Sequence, residues 1–265
     1  MNTVSKENRK LNDKIKFGMM SAFTAGMVNV SSLVLFFSFT SNITGHFAIL
    51  ANELANGNIF KIAIALLWIS LYFTGSFFSN FLIRNGATSN KYLSHSVPIV
   101  LEIICLVAVG LYGHYVYAET LIETEILVAV LLFAMGLQNG LTASIASFGL
   151  KTTHLTGLTT DLAIHLSMLF KKDIANKENI RNRMKLMGAI ALGYLIGGVV
   201  AGKIIHYAHF MVFIYISVAM IIIMVYDWSK TFSIKEMYKK QRQRQSALFT
   251  PTDEHDVLGK KYAQS

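Results

Sequence analysis

Two asparagines stand inside long apolar runs in matching surroundings: Asn29 follows Gly26-Met27-Val28, and Asn139 follows Gly136-Leu137-Gln138. An amide in such a place needs partners, because a polar group without hydrogen bonds in an apolar medium is costly. Asn29, Asn139 and Gln138 could line a polar path for a solute, or could hydrogen-bond neighbouring helices and hold them together. Downstream of each asparagine comes a Thr-Gly turn, in Asn42-Ile43-Thr44-Gly45-His46 and in His154-Leu155-Thr156-Gly157. Gly45 and Gly157 permit backbone conformations or close approaches that a side chain forbids, and the hydroxyls of Thr44 and Thr156 can cap the helices that follow. A helix N-terminus held at depth favours an anion or a solute's carbonyl or phosphate oxygens, whereas the same segment at the bilayer surface would be a plain interfacial loop and helix.

Ionisable groups recur on the same segments. Asp161 and His165 are four apart, and His46 and Glu53 seven apart, spacings that put each pair on one face of a helix. Inside a membrane, paired carboxylates and imidazoles serve as proton relays or coupling-ion sites, and at headgroup level they simply face water. Glu102 is expected to snorkel toward the membrane surface or to pair with a basic loop residue, and His206 and His209 to lie at the interface. The sequence offers no metal-ligand spacing, nucleophile elbow or phosphate-binding loop, so neither catalysis nor a metal or cofactor is expected.

These residues are carried by an apolar chain. Of 265 residues, 53% are hydrophobic and 15% charged, with mean hydropathy +0.47, which excludes an ordinary soluble domain. Six apolar runs, Phe17 to Ser38, Lys61 to Ile83, Val97 to Tyr117, Ile126 to Phe148, Leu186 to His206 and Ala208 to Tyr226, are each long enough to cross the hydrocarbon core as a helix. The single cysteine, Cys105, lies inside one of them and allows no disulfide. Gly193, Gly197 and Ala201, with Gly198 and Gly202, form rows of small residues suited to close helix packing.

The matched segments make the chain a duplication, with repeats at 17–117 and 126–226. Each repeat reads as a span with an asparagine, a Thr-Gly turn, a short polar helix and two further spans. The expected fold is therefore an all-α integral membrane protein with six spans and two short re-entrant or interfacial helices. Three spans per half would turn the second repeat upside down, giving inverted repeats. With this count, 22 of the 24 Lys and Arg residues fall on one side, which the positive-inside rule assigns to the cytoplasm. Residues 1–16 and 227–265 are then cytoplasmic, the latter with a basic helix from Lys235 to Arg244 and a disordered stretch over 246–265, while the acidic loop 118–125 is outside. Eight spans, with the short helices crossing, would instead move Arg84, Lys91 and Lys151 outside.

On these motifs the sequence resembles the YoaK family of uncharacterised bacterial multi-span membrane proteins, also grouped as a domain of unknown function. The matching positions are Gly26, Thr44 and Gly45 in the first half, and Gly136, Gln138, Asn139, Thr156 and Gly157 in the second. Asn29 stands where the family usually carries Asp, and His46 where it usually carries Asn, so a role that needs a carboxylate at the first position does not carry over. The resemblance implies a multi-pass protein of a bacterial inner membrane and supplies no substrate.

From architecture, the expected function is a transporter or channel for a small polar or anionic solute, with its site at the repeat interface near the bilayer midplane. The alternative is a non-transporting membrane scaffold or regulatory partner. The partners expected are the lipid bilayer and an unidentified small solute, with no nucleic acid because the +9 charge lies in short topogenic segments. Homo-oligomerisation, the coupling ion and the choice between channel and coupled transporter stay open.

Overall fold

The computed structural model describes residues 3–86, 91–145, 153–170 and 177–225. Within them the chain folds as α1 (Thr3–Phe36), α2 (Ile43–Asn56), α3 (Ile59–Gly86), α4 (Lys91–Tyr115), α5 (Leu121–Ile145), α6 (Leu155–Leu169) and α7 (Lys177–Ala208). A 3-10 turn, His209–Met211, then leads into α8 over residues 212–225. The chain divides into two units, Met1–Ile223 and Met224–Ser265, of which the first holds α1 to α7 and nearly all of α8. The basic segment from Lys235 to Arg244 and residues 246–265 lie outside the described residues.

Among the described residues, five helical stretches are long and apolar enough to cross a bilayer: Leu11–Phe36, Ile59–Asn85, Ser94–Tyr115, Leu121–Ser144 and Lys177–Val225. The last, 49 residues long, is broken at His209, whose φ of 43° no helix can hold, so α7 and α8 are separate segments. α1, α4, α5 and α7 begin several residues earlier than the apolar runs suggest. At α5 the cause is a capping box: Thr120 Oγ1 accepts from the Glu123 amide at 3.3 Å, while the Glu123 carboxylate accepts from the Thr120 amide at 3.3 Å and hydroxyl at 2.7 Å. The acidic residue Glu123 thus belongs to the first turn of α5 rather than to a loop.

Glycines fix which helices touch. α1 packs along α7, and α3 along α5. On α7, Gly193 faces the backbone of Met19 and Gly197 that of Phe23, while Gly202 faces Val30. Positions rise together along both helices, so α1 and α7 run parallel. Gly75 on α3 faces the backbone of Phe133, and Gly140 on α5 faces that of Ser76, so α3 and α5 are parallel as well. The small-residue rows of α7 therefore do what their spacing suggests and bring two backbones into contact.

At one end of the bundle the rings of Phe36, Tyr117 and Phe210 meet with centroids 5.1–6.2 Å apart. The C-terminal ends of α1, α4 and α7 therefore share a face. α5 starts at the same face, where Tyr117 and Thr124 share a hydroxyl hydrogen bond of 2.6 Å. Three non-glycine residues with positive φ, Phe37, Glu119 and His209, turn the chain there. Between the helices lies a core that includes Val28, Leu106, Leu131, Leu132, Met135, Phe213 and Ile216. The outer face of α3 is left bare, with Phe73, Phe77 and Phe81 stacked along it and at least half exposed, as suits a surface that meets lipid.

Candidate functional site

Asn29 is buried in α1 and uses both ends of its amide. Its Nδ2 donates to the Tyr194 hydroxyl of α7, and its Oδ1 accepts from the Thr40 amide at 3.0 Å and the Ser41 amide at 3.2 Å. Asn139, buried in α5, does the same with other partners: Nδ2 donates to the Tyr72 hydroxyl of α3 at 2.8 Å, and Oδ1 accepts from Thr153 Oγ1 at 2.8 Å. Each network joins one asparagine, one tyrosine and the chain just before a short helix.

The two networks share a spacing that extends past the asparagines. Phe23-x-x-Gly26-x-x-Asn29 on α1 meets Tyr194-x-x-Gly197 on α7, and Phe133-x-x-Gly136-x-x-Asn139 on α5 meets Tyr72-x-x-Gly75 on α3. Tyr72 and Tyr194, with Thr40, Ser41 and Thr153, were not singled out from sequence, because a tyrosine in an apolar span reads as filler. The repeated Tyr-x-x-Gly was the available signal.

These bonds also set depth. Asn29 lies seven residues before the end of α1, about 10 Å along the helix, so the chain that leaves α1 at Phe36 has returned that far by Thr40 and Ser41. From there α2 begins at Ile43 and runs back outward against α3: His46 sits edge-on to Trp68, centroids 4.9 Å apart, and Glu53 pairs with Lys61 at 3.7 Å. Asn139 lies six residues before Ile145, and Thr153 has likewise returned to its level just before α6 begins at Leu155. Neither asparagine is at mid-span. Each is displaced toward the C-terminal end of its helix, and the two bond separate partners rather than one another.

The Thr-Gly turns are built differently from the expectation. Asn42, not Thr44, caps α2, its Oδ1 accepting from the Gly45 amide at 3.3 Å. Thr44 and Thr156 already lie inside their helices, exposed, and His154 at the N-cap of α6 makes no side-chain cap bond. Gly45 and Gly157 keep negative φ; their role is close approach, since an added methyl on Gly45 would sit 3.1 Å from Asn42 Nδ2 and one on Gly157 would run into the His154 ring. Among the described residues, the glycine that does take a left-handed conformation is Gly57, φ 68°, which ends α2.

His46 is buried, and its Nε2 donates to the Phe39 carbonyl at 2.7 Å, while Nδ1 has no partner. A bare ring nitrogen of this kind fits a neutral imidazole, and burial holds His46 below its ordinary pKa of 6.5 against the opposing effect of the Phe39 bond. Its expected partner Glu53 is turned to Lys61 instead. Asp161 and His165 meet through the Asp161 backbone carbonyl, 2.6 Å from His165 Nδ1, and Asp161 is exposed, so they form no carboxylate–imidazole pair. Gln138 bonds α1, its Nε2 donating to the Ser21 carbonyl at 3.0 Å and to Thr24 Oγ1 at 2.9 Å. Glu102, expected to snorkel, is buried at 1% exposure in the middle of α4.

No curated protein and no solved structure compared with this chain matches it. The model of one protein family, described as a protein of unknown function (DUF1275), matches residues 17–226. That stretch begins within α1, ends one residue past the described part of α8 and takes in both asparagine networks, so the chain belongs to the DUF1275 family of membrane-type helical proteins.

Proposed function

We propose that the protein is a transporter or channel for a small polar or anionic solute, built from two inverted repeats of three spans each. The observation that carries this reading is the pair of asparagine–tyrosine networks, each holding a short helix's N-terminus about 10 Å inside the end of the preceding long helix. A helix that starts at such depth is re-entrant, and its first amides and positive dipole end favour a solute's oxygen atoms. α1 runs toward the face marked by Phe36, and α5 starts from that face, so equivalent helices point in opposite senses as inversion requires. With α7 and α8 counted apart, six crossings result, and the basic residues Arg84, Lys177, Arg181 and Lys185 fall on the side away from Glu119 and Glu123. That side is cytoplasmic by the positive-inside rule.

A second reading has its own support. Asn29 and Asn139 use both ends of their amides within the protein, as a scaffold or regulatory partner without a solute path would need. Flux decides between them. Protein purified and inserted into liposomes is offered a panel of small anions and polar metabolites, and Thr44→Val and Thr156→Val, which alter exposed first-turn residues without touching either network, are compared with wild type. Transport should occur and fall in both variants. Properly folded wild-type protein that passes no member of the panel leaves the scaffold as the better account.

A further inference from the structure

Away from the asparagine networks, a small cavity of about 20 Å³ lies between α1, α4, α5 and α8. Its lining is mostly apolar, but four polar residues reach it: Ser21 and Thr24 from α1, Glu102 from α4 and Gln138 from α5. The Ser21 carbonyl can only accept, so the Gln138 amide must turn its nitrogen toward α1, and this leaves Gln138 Oε1 buried without a partner. Glu102 Oε1 is also buried without a partner. Two acceptor oxygens thus stand without donors in one cavity, on side chains 3% and 1% exposed.

The chemistry that would satisfy them is narrow. An anion would meet two bare oxygens and is repelled. A single water could donate to both but would leave a carboxylate charge unbalanced in a low-dielectric interior. A divalent cation exceeds the charge of the one carboxylate that reaches the cavity and would leave a buried charge unbalanced. An organic cation is too large. A small monovalent cation balances Glu102 one for one and takes oxygen ligands.

We infer that Glu102 and Gln138 form a binding site for one monovalent cation, a proton or a sodium ion, between α1, α4, α5 and α8. Among the described residues that line the cavity, Glu102 is the only ionisable one, and the thiol of Cys105 lies one turn along α4. The proposal does not rest on transport, because occupancy is read without flux.

The experiment takes purified full-length protein and compares wild type with Glu102→Gln, which keeps the shape and removes the titration, and with Glu102→Asp, which keeps a carboxyl in case the first variant does not fold. Infrared spectra report the carbonyl stretch of a protonated carboxyl, and melting is followed in sodium and in choline chloride. If a proton occupies the site, wild type shows the band, Glu102→Asp shifts it and Glu102→Gln loses it. If sodium does, the band is missing, and sodium at about one hundred times its Kd raises the folding constant of wild type roughly a hundredfold over choline, with no such rise in Glu102→Gln. A wild type with neither the band nor a sodium effect absent from Glu102→Gln overturns the proposal.

Discussion

Replacing Gly26 by alanine tests the parallel packing of α1 on α7 directly. A methyl group there would lie 2.9 Å from the Tyr194 carbonyl carbon and closer still to its oxygen; on Gly197 it would lie 2.7 Å from the Phe23 carbonyl carbon. Carbon atoms in contact sit about 3.5–4.0 Å apart, so the two backbones must part by roughly 1 Å. Both are helix backbone and cannot swing aside as a side chain would. Overfilling a packed interior costs about 1–3 kcal/mol. The parting also stretches the Asn29–Tyr194 bond one turn away, worth about 0.6 kcal/mol on membrane-protein averages. A loss of about 1.6–3.6 kcal/mol follows, or a melting temperature lower by roughly 3–14 °C at this chain length. Gly136→Ala and Gly75→Ala should match it on the α3–α5 pair. Gly188→Ala is the control: among the described residues nothing beyond its own helix and chain neighbours comes within 4 Å of the added methyl, so it should be neutral or gain about 0.5–1 kcal/mol from helix propensity. The assay is thermal unfolding in detergent. Gly26→Ala and Gly197→Ala melting with wild type would refute the close approach.

Tyr194→Phe and Tyr72→Phe should each lower stability by about 0.6–1 kcal/mol, and double-mutant cycles with Asn29→Ala and Asn139→Ala should give coupling energies alike in the two networks. Asn42→Ala should cost about 1 kcal/mol in the same assay as the cap of α2 is lost, while His154→Ala, which removes no cap bond, should cost far less. His46 is neutral in the fold with its pKa below the unfolded value of 6.5, so its contribution is complete above that pH and lost as pH falls below it. Wild type should therefore lose melting temperature from about pH 7 to about pH 5 more steeply than His46→Gln. In a Cys105→Ser background, a single cysteine at position 118 should react with an impermeant reagent from outside cells; reaction of a cysteine placed before residue 17 instead would reverse the orientation.

Much of this fold was legible because its signals are compositional. Long apolar runs, the matched Asn29 and Asn139 segments and the glycine rows each follow from a chemistry that a bilayer imposes on every residue along a stretch. What stayed hidden depends on where the chain goes between those stretches. Asn29 stands near the middle of the apolar run from Phe17 to Ser38, but the return of residues 37–41 along α1 makes it the anchor of a loop, and no periodicity reports a return. Thr44 looked like a cap because threonine often is one, whereas the N-cap fell two residues earlier on Asn42. Glu102 is hidden for a related reason: it lies 11 residues into α4, and which face of a helix points to the neighbouring helices is set by packing against α1 and α5.

The partnering of α1 with α7, and of α3 with α5, also bears on how the chain is made. At about 5–20 residues per second, α5 begins to emerge a few seconds after α3 is complete, whereas α7 begins roughly ten to thirty seconds after α1. Through that interval α1 has Asn29 and a glycine-bearing face in the membrane with their eventual partner not yet synthesised. The α3–α4–α5 segment can assemble first and receive the outer pair later. Neither half of the sequence holds a complete pair: residues 1–117 contain α1 without α7 and α3 without α5, and the remainder contains only their counterparts. A chain severed between α4 and α5 would give two fragments that are incomplete alone and complementary together.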